Sequence, residues 1–204
     1  MHIPACETTD INILTFEDAC IHKEDSAVYD REKWLYIPDF YSEYRYILGT
    51  NGTRPLITIG INPSTAEPDN LDNTLKSVER IALGNGFDSF IMFNVYAQRA
   101  TDPDQMDKCF NEALHRENML AFRWILRHSG ENPVVWAAWG TIVEKRDYLK
   151  KCLQDMVSIG EEFGAKWVMA GKPSKKGHPH HPLYLKKDSG LDEFDMELYL
   201  NKVL

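Results

Sequence analysis

From Leu56 onward the chain alternates short apolar runs with longer stretches whose apolar residues recur every three or four positions. The runs are Leu56–Ile61, Ser89–Val95, Pro133–Ala138 and Lys166–Ala170. Near-continuous apolar character over so few residues suits strands buried on both faces. Between them, Asn73 to Leu83, Gln105–His128 and Ile142–Phe163 read as amphipathic helices, with Asp72 or Asn73 placed to cap the first. A strand–helix–strand succession covers both faces of its sheet when right-handed crossovers set helices on either side. The pattern predicts a three-layer α/β/α domain over residues 43–204, with a central, mainly parallel four-stranded sheet.

Upstream the signals are weaker. Residues 1–42 are charged and poorly patterned, with aromatics from Trp34, and are expected to form an arm packed on the core. Tyr44-Arg45-Tyr46-Ile47-Leu48 reads as a strand, and Thr50-Asn51-Gly52-Thr53 as a turn, since Asn-Gly tolerates positive φ. Glu43–Ile61 is therefore expected to be a β-hairpin. Downstream, Leu191–Lys202 is expected to be a closing helix.

A strand that ends in a polar signal places that signal at the carboxyl edge of a parallel sheet, where open α/β folds hold their ligands. The first run passes through Gly60 and Ile61 into Asn62-Pro63-Ser64. The second ends at Asn94 and leads to the loop of Arg99. The third turns out at Trp139-Gly140. The fourth leads to Gly177-His178-Pro179-His180-His181-Pro182-Leu183. Parallel strands bring these ends together, so the sequence predicts one site made from distant segments.

Lys172, Lys175, Lys176, Lys186 and Lys187 fall in a stretch without an acidic residue, in a chain of formal net charge −8. The acidic total, with a pI near 5.4, argues against a broad nucleic-acid-coating face; the local lysines suit phosphate. Asp69 and Asp72 are an alternative carboxylate pair. His178, His180 and His181 lack a carboxylate or Cys partner at metal-site spacing, and Cys6, Cys20, Cys109 and Cys152 are scattered, so neither metal nor other cofactor is expected. With no leader pattern over Met1–Asp10 and no apolar run of roughly 18 residues, the expectation is a monomeric cytoplasmic protein with free thiols, away from membranes.

Four ordered motifs carry a resemblance: Gly60-Ile61-Asn62-Pro63-Ser64-Thr65-Ala66, Arg99-Ala100-Thr101-Asp102-Pro103, Ala137-Ala138-Trp139-Gly140 and His181-Pro182-Leu183-Tyr184-Leu185. Together they resemble a bacterial and phage family of unknown function, which in turn is similar to the uracil-DNA glycosylase superfamily. The likeness implies a uracil-DNA-glycosylase-like fold and hydrolysis of the N-glycosidic bond of a damaged or modified base, in DNA or a related nucleotide. It implies catalytic roles for Asn62, holding water, and His181, stabilising the departing base. Asn94 would read the pyrimidine edge, and Gly60, Ile61, Pro63, Ser64, Arg99, Trp139, Gly140, Lys175, Lys176 and Leu183 would contact the substrate. The most active branch of that superfamily carries aspartate where Asn62 stands, and a neutral amide positions water without being a strong base. The alternatives are a non-catalytic nucleotide or nucleic-acid sensor, and a different hydrolase using Asp72 or the histidines. On the motif reading His178 and His180 matter less than His181.

Overall fold

Leu56, Ile57 and Ile59 have no solvent exposure, because strand β3 (Pro55–Gly60) runs through the middle of a seven-stranded sheet. The computed structural model describes residues 1–26 and 28–204; Ala27, within the expected arm, lies outside the described residues. The other strands are β1 (Trp34–Ile37), β2 (Ile47–Thr50), β4 (Ser89–Asn94), β5 (Val134–Ala137), β6 (Lys166–Ala170) and β7 (Leu191–Glu193), in the order β1-β2-β4-β3-β5-β6-β7. β3 is parallel to both β4 and β5, and β5 to β6. β1, β2 and β7 join antiparallel. The chain is an α/β protein with a mixed sheet, in place of the four strands expected.

The two faces of β3 enter different cores, as the two-residue period of a strand requires. Ile57 and Ile59 pack with Leu114, Phe122 and Ile125 of α3 (Glu112–His128) and Leu153 and Met156 of α4 (Asp147–Glu162). Leu56 packs on the other side with Val78, Ile81 and Ala82 of α2 (Asn73–Gly84). Asp72 caps α2 by accepting from Leu75 N–H at 2.9 Å, a contact worth about 1 kcal/mol. Two short helices, α1 (Phe16–Ile21) and α5 (Met196–Lys202), complete the set among the described residues. Among the described residues no helix is long and apolar enough to cross a membrane.

Three local expectations are corrected. Glu43–Ile61 is not a hairpin: β2 pairs with β1 and with β4, whose Met92 and Ile91 lie opposite Leu48 and Gly49, so β4 separates β2 from β3. Gly49 allows that approach, since a Cβ there would stand 2.3 Å from Phe90 O. The Asn-Gly segment is a crossover, held where the Asp88 carboxylate accepts from the backbone N–H groups of Thr53 (2.9 Å) and Arg54 (2.8 Å). Leu191–Glu193 is an edge strand on β6, and helix resumes only at Met196, after Asp195 caps Leu198 N–H at 2.8 Å. Finally α3 starts at Glu112, capped by Asn111, and α4 at Asp147; the segments before them contain the 3-10 turns Pro103–Gln105 and Gly140–Glu144.

Candidate functional site

In register, Gly60 lies opposite Asn94 and Ile59 opposite Ala137, so β3, β4 and β5 end together. A cavity of about 740 Å³ opens at that edge. Gly60, Ile61, Asn62, Pro63, Ser64, Asn94, Trp139, Gly140, His181 and Leu183 all line it. Arg99, Lys175 and Lys176 are not among its lining residues.

Asn62 is wired by its amide nitrogen. Nδ2–H donates to Ala100 O at 2.7 Å and to Pro63 O at 3.0 Å. Both donors are spent on backbone, which leaves Oδ1 as the group able to accept from water or a ligand. His181 caps the turn Pro182–Tyr184, its Nδ1 accepting from Leu183 N–H at a long 3.4 Å. With Nδ1 as acceptor, the ring proton belongs on Nε2. Burial lowers the imidazole pKa, against the opposing pull of Asp72, so the ring is neutral near pH 7 and offers an N–H. Gly140 has φ +63 and lies against His181, where an added Cβ would stand 3.6 Å from the His181 Cβ.

The loop bearing His181 is anchored from beneath. His178 is fully buried. Trp139 Nε1–H donates to Tyr199 Oη at 2.9 Å, and that hydroxyl lies 2.8 Å from His178 Nδ1. Tyr199 therefore donates to Nδ1, and Nε2–H donates to Glu144 at 3.1 Å. Lys176 and His178 together hold the Glu144 carboxyl down to about 2. His178 is thus a structural anchor, Trp139 the start of its hydrogen-bond chain, and Lys176 an ion-pair partner at the surface. The described residues contain no cluster of three or more His, Cys, Asp or Glu able to hold a metal. Asp69 also sits apart from the cavity, bonded to Trp34 Nε1–H at 3.0 Å.

The innermost polar groups include one that the sequence reading passed over. Arg45 is 1% exposed and lines the cavity. Its guanidinium donates to Ala66 O at 3.1 Å and to Asn94 Oδ1 at 3.4 Å, while Nε–H has no partner. Burial, helped by Arg99, pushes its pKa down to about 9, still a cation at neutral pH. Asn94 is equally buried, and its Nδ2 is unpartnered. Arg99 is enclosed behind the loop, donating to Ser64 O, to Ala66 O at 3.2 Å and to Tyr36 Oη at 2.9 Å, with Tyr41 stacked 4.3 Å away. It ties down the loop after Asn62. The clue to Arg45 was a charge inside the otherwise apolar run Tyr44–Leu48. Asp72 is the one carboxylate in the cavity lining.

A family model described as "Protein of unknown function (DUF1643)" matches residues 45–183. The chain belongs to this family. The match begins at Arg45 and ends at Leu183, so the DUF1643 segment encloses Asn62, Asn94, Trp139 and His181. No curated protein and no solved structure matches the chain.

Proposed function

We propose that this protein is a uracil-DNA-glycosylase-like hydrolase of the N-glycosidic bond of a modified base, in DNA or a related nucleotide. The observation that carries the reading is that Asn62 and His181, from segments more than a hundred residues apart, line one cavity. One brings an acceptor, Asn62 Oδ1, and the other a neutral N–H donor, His181 Nε2. Glycosidic cleavage through an oxocarbenium-like state needs those two functions. The base leaves with negative charge, which the His181 N–H stabilises as that charge develops. Water held by Asn62 Oδ1 then forms the new C–O bond to an electrophilic sugar without a strong base, and the proton it sheds neutralises the departed base anion. The exposed Lys175, Lys186 and Lys187 would take the flanking phosphates, outside the cavity.

The test is a panel of single-stranded and mismatched oligonucleotides carrying uracil, hydroxymethyluracil, hypoxanthine and other altered bases, scored for abasic sites. Abasic-site formation at one class of base, lost in His181→Ala, supports the hydrolase. Binding across the panel without cleavage overturns it in favour of a sensor.

A further inference from the structure

Arg45 and Arg99 form a buried pair of cations that, among the described residues, no carboxylate reaches by a hydrogen bond; Asp72, in the same cavity lining, acts on Arg45 only at longer range. Both are at most 1% exposed. Arg45 reaches only the neutral oxygens of Ala66 and Asn94; Arg99 reaches those of Ser64, Ala66 and Tyr36. They share the Ala66 carbonyl, which places the two guanidinium groups side by side. An isolated buried charge is strongly disfavoured unless it is paired, and arginine does not escape by losing its proton at neutral pH. The cavity, which Arg45 lines and Arg99 does not, is the place from which compensating charge can come.

The neighbouring groups narrow what fits there. Arg45 Nε–H and Asn94 Nδ2–H are buried donors without partners. Asn94 Oδ1 is turned to Arg45, which fixes the amide with its nitrogen on the other side. Gly60 lets that amide and the Met92 methyl come close to the strand end, since a Cβ there would stand 2.5 Å from Met92 Cε and 2.9 Å from Asn94 Nδ2. A pyrimidine edge presents an N–H between its carbonyls and wants an acceptor opposite; the spare groups of these two lining residues are donors. A group that only accepts, and is charged, satisfies both the unpartnered donors and two cations for which the cavity lining holds a single carboxylate, Asp72.

We propose that the inner end of the cavity is an anion subsite, made by Arg45 and Asn94, that takes a carboxylate or phosphate oxyanion carried by the ligand. The proposal rests on the hydrolase reading only for the rest of the ligand. The oxyanion has two sources: an acidic substituent on the base, or a nucleotide phosphate.

Competition calorimetry at fixed ionic strength separates them. The probes are inorganic phosphate, deoxyuridine with and without its 5′-phosphate, and 5-carboxy-deoxyuridine beside its neutral 5-carboxamide. At least one anionic probe should bind about 10–100-fold tighter than its neutral counterpart, the worth of a charge-assisted contact. Arg45→Met, similar in reach but uncharged, should bring that ratio close to one, and Arg45→Lys should leave it intermediate; melting curves establish that both are folded. Preference for the phosphate probes assigns the anion to phosphate, and preference for the 5-carboxylate assigns it to the base. Equal affinity for charged and neutral probes, absence of binding by every anionic probe, or an undiminished ratio in Arg45→Met and Arg45→Lys overturns the subsite. A charge preference without abasic-site formation in the oligonucleotide panel would retire the hydrolase and keep the subsite; abasic-site formation without a charge preference would do the reverse.

Discussion

The amide nitrogen of Asn62 lies 2.7 Å from the carbonyl oxygen of Ala100. That contact joins the end of β3 to the loop after β4, and it can be made only by a donor. Asn62→Asp would bring a carboxylate against two carbonyl oxygens, Ala100 and Pro63. The variant should lose about 2 kcal/mol of stability, a fall of about 4–8 °C in Tm. It should not gain turnover on any substrate found. Calorimetric melting and the abasic-site assay check the two halves of this expectation.

His181→Ala removes the N–H assigned to the departing base. Turnover should fall by about 10²–10³ while ground-state binding stays nearly unchanged, as for loss of one donor to developing charge. Single-turnover kinetics with a separate binding titration distinguish that result from simple loss of affinity. A fully active His181→Ala protein would remove His181 from the mechanism.

Stability should decline on acidification below the ordinary histidine range. Burial lowers the pKa of His181 and of His115, the first opposed by Asp72 and the second by its contact with Asp155. A histidine whose pKa is lower folded than unfolded binds its proton first in the unfolded chain. Its contribution is therefore present above about 6.5 and lost as pH falls through the folded value. Tm should be lower at about pH 5.5 than at about pH 8, and His115→Gln combined with His181→Gln should flatten the difference.

His178→Ala should be the most destabilising of the three histidine changes. It strands Tyr199 Oη, which accepts from Trp139, and removes one of the two partners of Glu144, leaving Lys176. A loss of about 3 kcal/mol, or about 6–12 °C in Tm, is expected for a vacated buried site with a broken network. Tyr199→Phe should move in the same direction by less, and His180→Ala should scarcely change the melt.

Replacing Lys175, Lys176, Lys186 and Lys187 with glutamine should weaken any nucleic-acid binding and reduce the log–log salt slope by about 2–3. Each phosphate-contacting lysine is worth roughly 0.7–0.9 of slope, and Lys176 is already paired with Glu144. An unchanged slope would place nucleic-acid contacts elsewhere.

The parts of the fold legible in the sequence were those decided locally. β3, β4, β5 and β6 are continuous apolar runs, and the cap at Asp72 announces α2. The neighbours of β2 were not legible, because the choice between β3 and β4 rests on Gly49 approaching Phe90 and on Asp88 gathering Thr53 and Arg54 across the crossover. β7 is three residues long and exists through its pairing with β6. At the cavity, strand ends foretold where Asn62, Asn94 and His181 would meet. Charge density did not foretell direction: the lysines face solvent, Arg99 is consumed by carbonyls, and Arg45 looks inward from a run that reads as core.

The placement of β3 also has a meaning for the order of assembly. Its two neighbours, β4 and β5, are both encoded after it, and β2 likewise waits for β4. As the chain emerges from a ribosome, the central strand can pair with β4 once Asn94 is made, but its other edge stays open until residues near 137 follow, about 4–15 seconds after Gly60 at ordinary elongation rates. Through that interval Ile57 and Ile59 also lack Leu153 and Met156 of α4, which are made later still. The stretch most protected in the finished molecule is the one most in need of shielding during synthesis.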